Sequence, residues 1–139
     1  ALSGSDKLIA GSSAMPILFL DDGSLWMAGP YGPNHATAGT FAFKKELLGM
    51  TSYQDDAEGA EERFFLKDYQ IEMVQLQPFH AIICIAHANN TFDKNLLRQM
   101  SVDKGAEKAK FRPYEFQNDK QRRIVSGIAE EYRGIYCFN

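Results

Sequence analysis

The sequence predicts an α/β (α+β) domain: one five-stranded antiparallel sheet packed by helices, with elements in the order β-β-α-β-β-β-α-α. Three stretches carry that expectation. The first is Phe79–Ala88 (FHAIICIAHA), a near-continuous apolar run bounded by Pro78 and by Asn89-Asn90, which reads as a central strand covered on both faces. The second is the pair of apolar segments on either side of Asp21-Asp22-Gly23-Ser24, a hairpin signal. The third is a capped amphipathic pattern that begins at Asn118.

The hairpin joins Pro16–Leu20 (PILFL) to Leu25–Ala28 (LWMA), with Asp22-Gly23 supplying positive φ and Trp26 on the second strand as a core aromatic. Ala28–Gly39 (AGPYGPNHATAG) cannot continue a strand and forms an irregular surface loop, carrying Tyr31 and His35. Thr40 to Tyr53 reads as a helix, since Phe43, Leu47 and Met50 recur at i, i+4 and i+7. The acidic stretch Asp55–Glu62 reads as a solvated loop without the ligand spacing of a calcium site. Arg63–Lys67 (RFFLK) and Tyr69–Gln77 (YQIEMVQLQ) then read as strands, with a turn or bulge at Asp68, and with Phe79–Ala88 they complete a meander.

A helix opens at Asn90 or Thr91, with Asp93 near its start, and buries Phe92, Leu96, Leu97 and Met100. Ser101–Pro113 loses periodicity and interleaves Lys104, Lys108, Lys110 and Arg112 with Phe111, as a solvated connection does. The last helix has Asn118 as N-cap and Gln121 as its partner, with Ile124, Val125, Ile128, Tyr132, Ile135 and Tyr136 on the stripe that packs on the sheet.

Composition bounds the functional classes. With 139 residues, 45% of them hydrophobic and 24% charged, the chain has room for one globular domain, here expected over residues 15–139. Residues 1–14 read as a Gly/Ser-rich segment of the kind added for expression. A net charge of −3 argues against nucleic acid as a partner. The charge is uneven: five Lys/Arg against eleven Asp/Glu up to Phe92, and ten against seven thereafter. The two cysteines, Cys84 and Cys137, form no disulfide framework, which points to a reducing, cytoplasmic home. No apolar run is long enough to span a membrane.

Chemistry-bearing patterns are sparse. If Phe79–Ala88 is a strand, His80 and His87 project to opposite faces and cannot share a metal, and His80 lies roughly 13 Å from Cys84 along one face. The glycine-rich loop matches neither of the two common phosphate-binding spacings and lacks the phosphate-reaching lysine. Neither a metal, a cofactor nor a catalytic constellation is expected, so the chain reads as a non-enzyme.

The order of elements resembles the roadblock/longin superfamily. PILFLDDGSLWMAG stands for its opening hairpin, and RFFLKDYQIEMVQLQPFHAIICIAHANN is similar to its three-strand meander. That resemblance implies a protein-binding module associated with small GTPases or with trafficking and motor complexes. It would act through its first helix and the sheet edge beside it, as a possible homodimer. DGSLWMAG is also similar to the early hairpin of profilins, which implies actin binding as the alternative. A third reading is a small-molecule sensor or enzyme using the glycine-rich loop. The partner-binding residues expected are Tyr31, His35, Lys44 and Lys45.

Overall fold

Two sheets, not one, organise the chain in a computed structural model that describes residues 1–54, 61–90, 93–105 and 110–136. In order they are β1 (Ile9–Gly11), β2 (Met15–Phe19), β3 (Leu25–Ala28), β4 (Ala42–Phe43), α1 (Glu61–Phe65), β5 (Val74–Gln75), α2 (Pro78–Ala81), β6 (Cys84–Ala86), α3 (Asn95–Lys104), β7 (Phe111–Pro113) and α4 (Asp119–Tyr136). Short 3-10 turns occupy Ala38–Thr40 and Lys45–Gly49. The chain divides into two compact units, one of Ala1–Met15 with Gly29–Ile82, the other of Pro16–Ala28 with Ile83–Asn139.

The first unit holds a three-stranded sheet in the order β4-β1-β5. β1 pairs antiparallel with β4, Ile9 opposite Phe43, and parallel with β5, Ala10 opposite Val74. Its middle strand therefore lies within the Gly/Ser-rich opening of the chain. Ile9 anchors a core with Ala36, Leu47, Phe65, Leu66 and Met73, against which Leu8, Phe41, Tyr69 and Ile71 pack. Gly11 makes this possible: a Cβ there would stand 2.5 Å from the Cβ of Ala36. After α1 the chain turns through three successive left-handed residues, Lys67, Asp68 and Tyr69 (φ 50°, 55° and 62°). None is glycine, so the turn is held against local preference; Asp68 helps to hold it, its N–H donating to the Arg63 carbonyl at 2.9 Å and its carboxylate accepting from Arg63 Nε at 2.6 Å.

The second unit holds a four-stranded sheet in the order β6-β2-β3-β7. β2 and β3 form the hairpin anticipated from Asp21–Ser24, closed by Phe19 N–H donating to the Ser24 carbonyl, with Gly23 at φ 74°. β7 pairs antiparallel with β3, and β6 runs parallel to β2 with Leu18 opposite Ile85. Phe19, Trp26 and Phe111 pack as an aromatic core, Trp26 stacked on Phe111 at 5.0 Å and Phe19 edge-on to both. Arg98 of α3 lies over the Phe19 ring, 4.0 Å from its centre, and forks onto Asp21 and Asp22 of the turn. α4 starts as anticipated, with Asn118 Oδ1 accepting the Gln121 N–H at 2.9 Å, and it buries Val125 and Ala129.

Several expectations are corrected. Among the described residues there is no single five-stranded antiparallel sheet in the order β-β-α-β-β-β-α-α, because β5 pairs in parallel with β1 and β6 in parallel with β2 instead of with one another. The decapeptide at 79–88 is not a central strand: Pro78 occupies the first turn of a helix, α2, and only Cys84–Ala86 forms a strand, at a sheet margin. The helix expected over 40–53 is replaced by β4 and a 3-10 turn, since Lys44 N–H donates to the Leu8 carbonyl across a strand pair. Residues 63–67 fall mostly in helix α1, not in a strand. Phe111, expected in a solvated connection, is buried in β7. In α4, Ile124 and Ile135 are exposed. The acidic stretch at 55–60, Thr91, Phe92, Lys108 and Cys137 lie outside the described residues.

Candidate functional site

The glycine-rich loop, in the first unit, is fastened rather than open. Ser12 is fully buried; its N–H donates to Thr40 Oγ1 at 2.9 Å, its hydroxyl to the Ala14 carbonyl at 2.6 Å, and its carbonyl accepts the Thr37 N–H at 3.0 Å. Gln75 of β5 acts as a clamp, accepting the Ser13 N–H on Oε1 at 3.0 Å and donating from Nε2 to the carbonyls of Pro33 and His35 at 2.7 and 2.9 Å. Gly29, at φ 80° and followed by a cis peptide to Pro30, lies so close to Ser13 that a Cβ would stand 2.3 Å from its carbonyl oxygen. These bonds direct the loop's backbone groups into the protein, away from the role of a phosphate cradle.

On this frame the rings of Tyr31 and His35 meet at 4.8 Å, and His35 meets Tyr69 at 5.0 Å. Two of the four residues expected at a partner site thus come together, joined by Tyr69, which the left-handed turn delivers. Burial pushes the Tyr31 phenol above its ordinary pKa. Lys44 is occupied elsewhere, its Nζ donating to the Ser5 carbonyl at 2.7 Å, while Lys45 is exposed at the start of the second 3-10 turn.

The feature that sequence reading missed lies beside those lysines. Among the described residues β4 is an edge strand with one partner, β1. Lys44 N–H points at Leu8, so by the alternation of an antiparallel pair the N–H and C=O of Phe43 point outward. Around that edge Phe41, Phe43 and Tyr53 pack on the fully buried Phe65, at 5.6, 5.4 and 4.4 Å between ring centres. Phe43 is 38% exposed and Tyr53 43%, with Leu48, Met50 and Phe64 exposed as well. The spacing of Phe43, Leu47 and Met50 predicts the apolar stripe of a helix, and a helical stripe hides the exposure of Phe43 at a strand edge.

Among the described residues no group of His, Cys, Asp and Glu could hold a metal, and no helix is long and apolar enough to cross a membrane. Compared with known proteins, the chain matches no family model, no curated protein and no solved structure.

Proposed function

We propose that this chain is a non-enzymatic protein-binding module that takes an extended segment of a partner onto the β4 edge. The observation that carries the reading is Phe43: its outward backbone groups and exposed ring sit on one strand margin. Open edges are templates for strand addition, where main-chain bonds supply affinity and neighbouring apolar pockets supply specificity. Large exposed apolar patches on soluble chains commonly mark such surfaces.

The roadblock/longin and profilin readings rest on one five-stranded sheet. The sheets here have three and four strands, and of the features those readings invoke, the sheet edge is the one this proposal uses. The third reading, a ligand on the glycine-rich loop, meets a loop already bonded to Ser13 and Gln75.

The test is amide hydrogen exchange of the protein with peptides that alternate valine and threonine. Binding should slow exchange at Phe43, survive Phe43→Leu and be lost in Phe43→Pro, which removes the outward N–H. Protection of Phe43 that rises with protein concentration in the absence of peptide would identify a second copy as the occupant. If Phe43 exchanges equally fast at every peptide and protein concentration, the edge is not a docking site.

A further inference from the structure

We infer that a cleft in the second unit is a binding site for a small aromatic carboxylate. The cleft has a volume of about 290 Å³, at the lower end of the range for small-molecule sites. Its base is apolar, formed by the buried Phe19, Leu20 and Ala86. One wall is aromatic: the His87 imidazole and the Tyr136 ring both line it, stacked on each other at 4.2 Å and 11° from parallel. A third ring can meet such a pair in offset or edge-to-face contact.

The polar groups around the cleft select charge. Asp21 lines it, yet its Oδ1 accepts the Asp22 N–H at 2.9 Å and its Oδ2 is held by the Arg98 guanidinium. Asn95 Oδ1 likewise accepts from Arg98 Nε at 3.2 Å. Of the His87 nitrogens, Nδ1 accepts the Asn89 N–H at 3.2 Å, so Nε2, 3.2 Å from Asn90 Nδ2, cannot accept a second N–H. The carboxylate on the lining, Asp21, is therefore already paired with Arg98, and Asn95 Oδ1 and His87 Nδ1 are already accepting. What remains is a pair of donors, the Asn95 amide and the Lys94 ammonium, the latter without an ion-pair partner among the described residues. An aromatic wall beside a free cation and an amide donor fits a ring bearing a carboxylate, which the ammonium can meet in a charge-assisted bond.

The experiment is a titration of the full chain with benzoate, and in parallel with neutral benzamide, followed through backbone amide resonances. Benzoate should give saturable shifts at His87, Ala88, Asn89, Lys94 and Asn95. Benzamide should bind about fivefold or more weakly, Lys94→Gln should weaken benzoate to a similar degree, and Lys94→Arg should retain it. Four results would overturn the assignment: no saturable shift by ~20 mM benzoate, shifts confined to residues away from the cleft, benzamide bound as tightly as benzoate, or Lys94→Gln indistinguishable from the parent chain.

Discussion

The side-chain oxygen of Gln75 accepts the backbone N–H of Ser13 at 3.0 Å, so β5 is tied to the chain after β1 by a side chain as well as by strand pairing. The same carboxamide reaches the loop carbonyls of Pro33 and His35, and one residue thereby sets where Tyr31 and His35 stand.

That clamp can be dissected. Gln75→Glu keeps an acceptor for Ser13 but replaces the two donated bonds with a carboxylate facing two carbonyl oxygens, whereas Gln75→Ala deletes all three. Because Gln75 is exposed, each loss is cushioned by water, and Gln75→Ala should cost about 1 kcal/mol in urea unfolding. Gln75→Glu should cost at least as much, since carboxylate and carbonyls repel. A Glu variant as stable as the parent chain would show that the donated bonds contribute nothing.

Gly29 and Gly23 both have positive φ, 80° and 74°, but their surroundings differ. A Cβ on Gly29 would meet the Ser13 backbone oxygen at 2.3 Å, whereas on Gly23 it would meet the Arg133 guanidinium end at 2.8 Å, which can swing aside. The conformational cost of about 1–2 kcal/mol is common to both. Gly29→Ala should therefore exceed Gly23→Ala by roughly 1 kcal/mol or more in the same unfolding assay, the excess arising from the backbone clash. Equal costs would mean that the loop backs away from Ser13 freely.

What could be read from the sequence was local. The hairpin around Gly23 and the cap at Asn118 depend on residues within a few positions, and both are present. The apolar run at 79–88 was ambiguous in principle, because a short apolar stretch does not distinguish helix from strand; Pro78, read as a boundary, is instead well suited to a first helical turn. The spacing of Phe43, Leu47 and Met50 mimicked a helix although Phe43 is opposite Ile9 in a strand pair. Parallel pairing of β1 with β5 and of β2 with β6 joins segments far apart in sequence and leaves no local signature. For the site, Tyr31 and His35 were found through the odd composition of their loop, while Tyr69 depends on a left-handed turn of non-glycine residues that no sequence pattern announces.

The turn of the second unit should register acid. On the Asp22 carboxyl, burial is the largest single influence and pushes the pKa up; hydrogen bonds from the Ser24 hydroxyl and N–H, followed by the Arg98 guanidinium, act the other way and together hold it below its ordinary value. A carboxyl with a lowered folded-state pKa binds fewer protons folded than unfolded, so its contribution is fully present above the unfolded value of about 3.9 and is lost as pH falls through the folded one. Asp22→Asn keeps an acceptor for the Ser24 N–H but gives up the charge facing Arg98. Near pH 6 it should cost no more than an exposed ion pair is worth, about 0.2–1 kcal/mol, because Asp22 is half open to solvent. As pH falls below about 4 and through the lowered folded-state pKa, the gap between parent and variant should close, since the protonated parent no longer attracts Arg98 as an ion. Urea unfolding of both chains across that range decides the matter: a gap that stays constant or widens on acidification would place the charge pair outside the forces that hold the hairpin turn to α3.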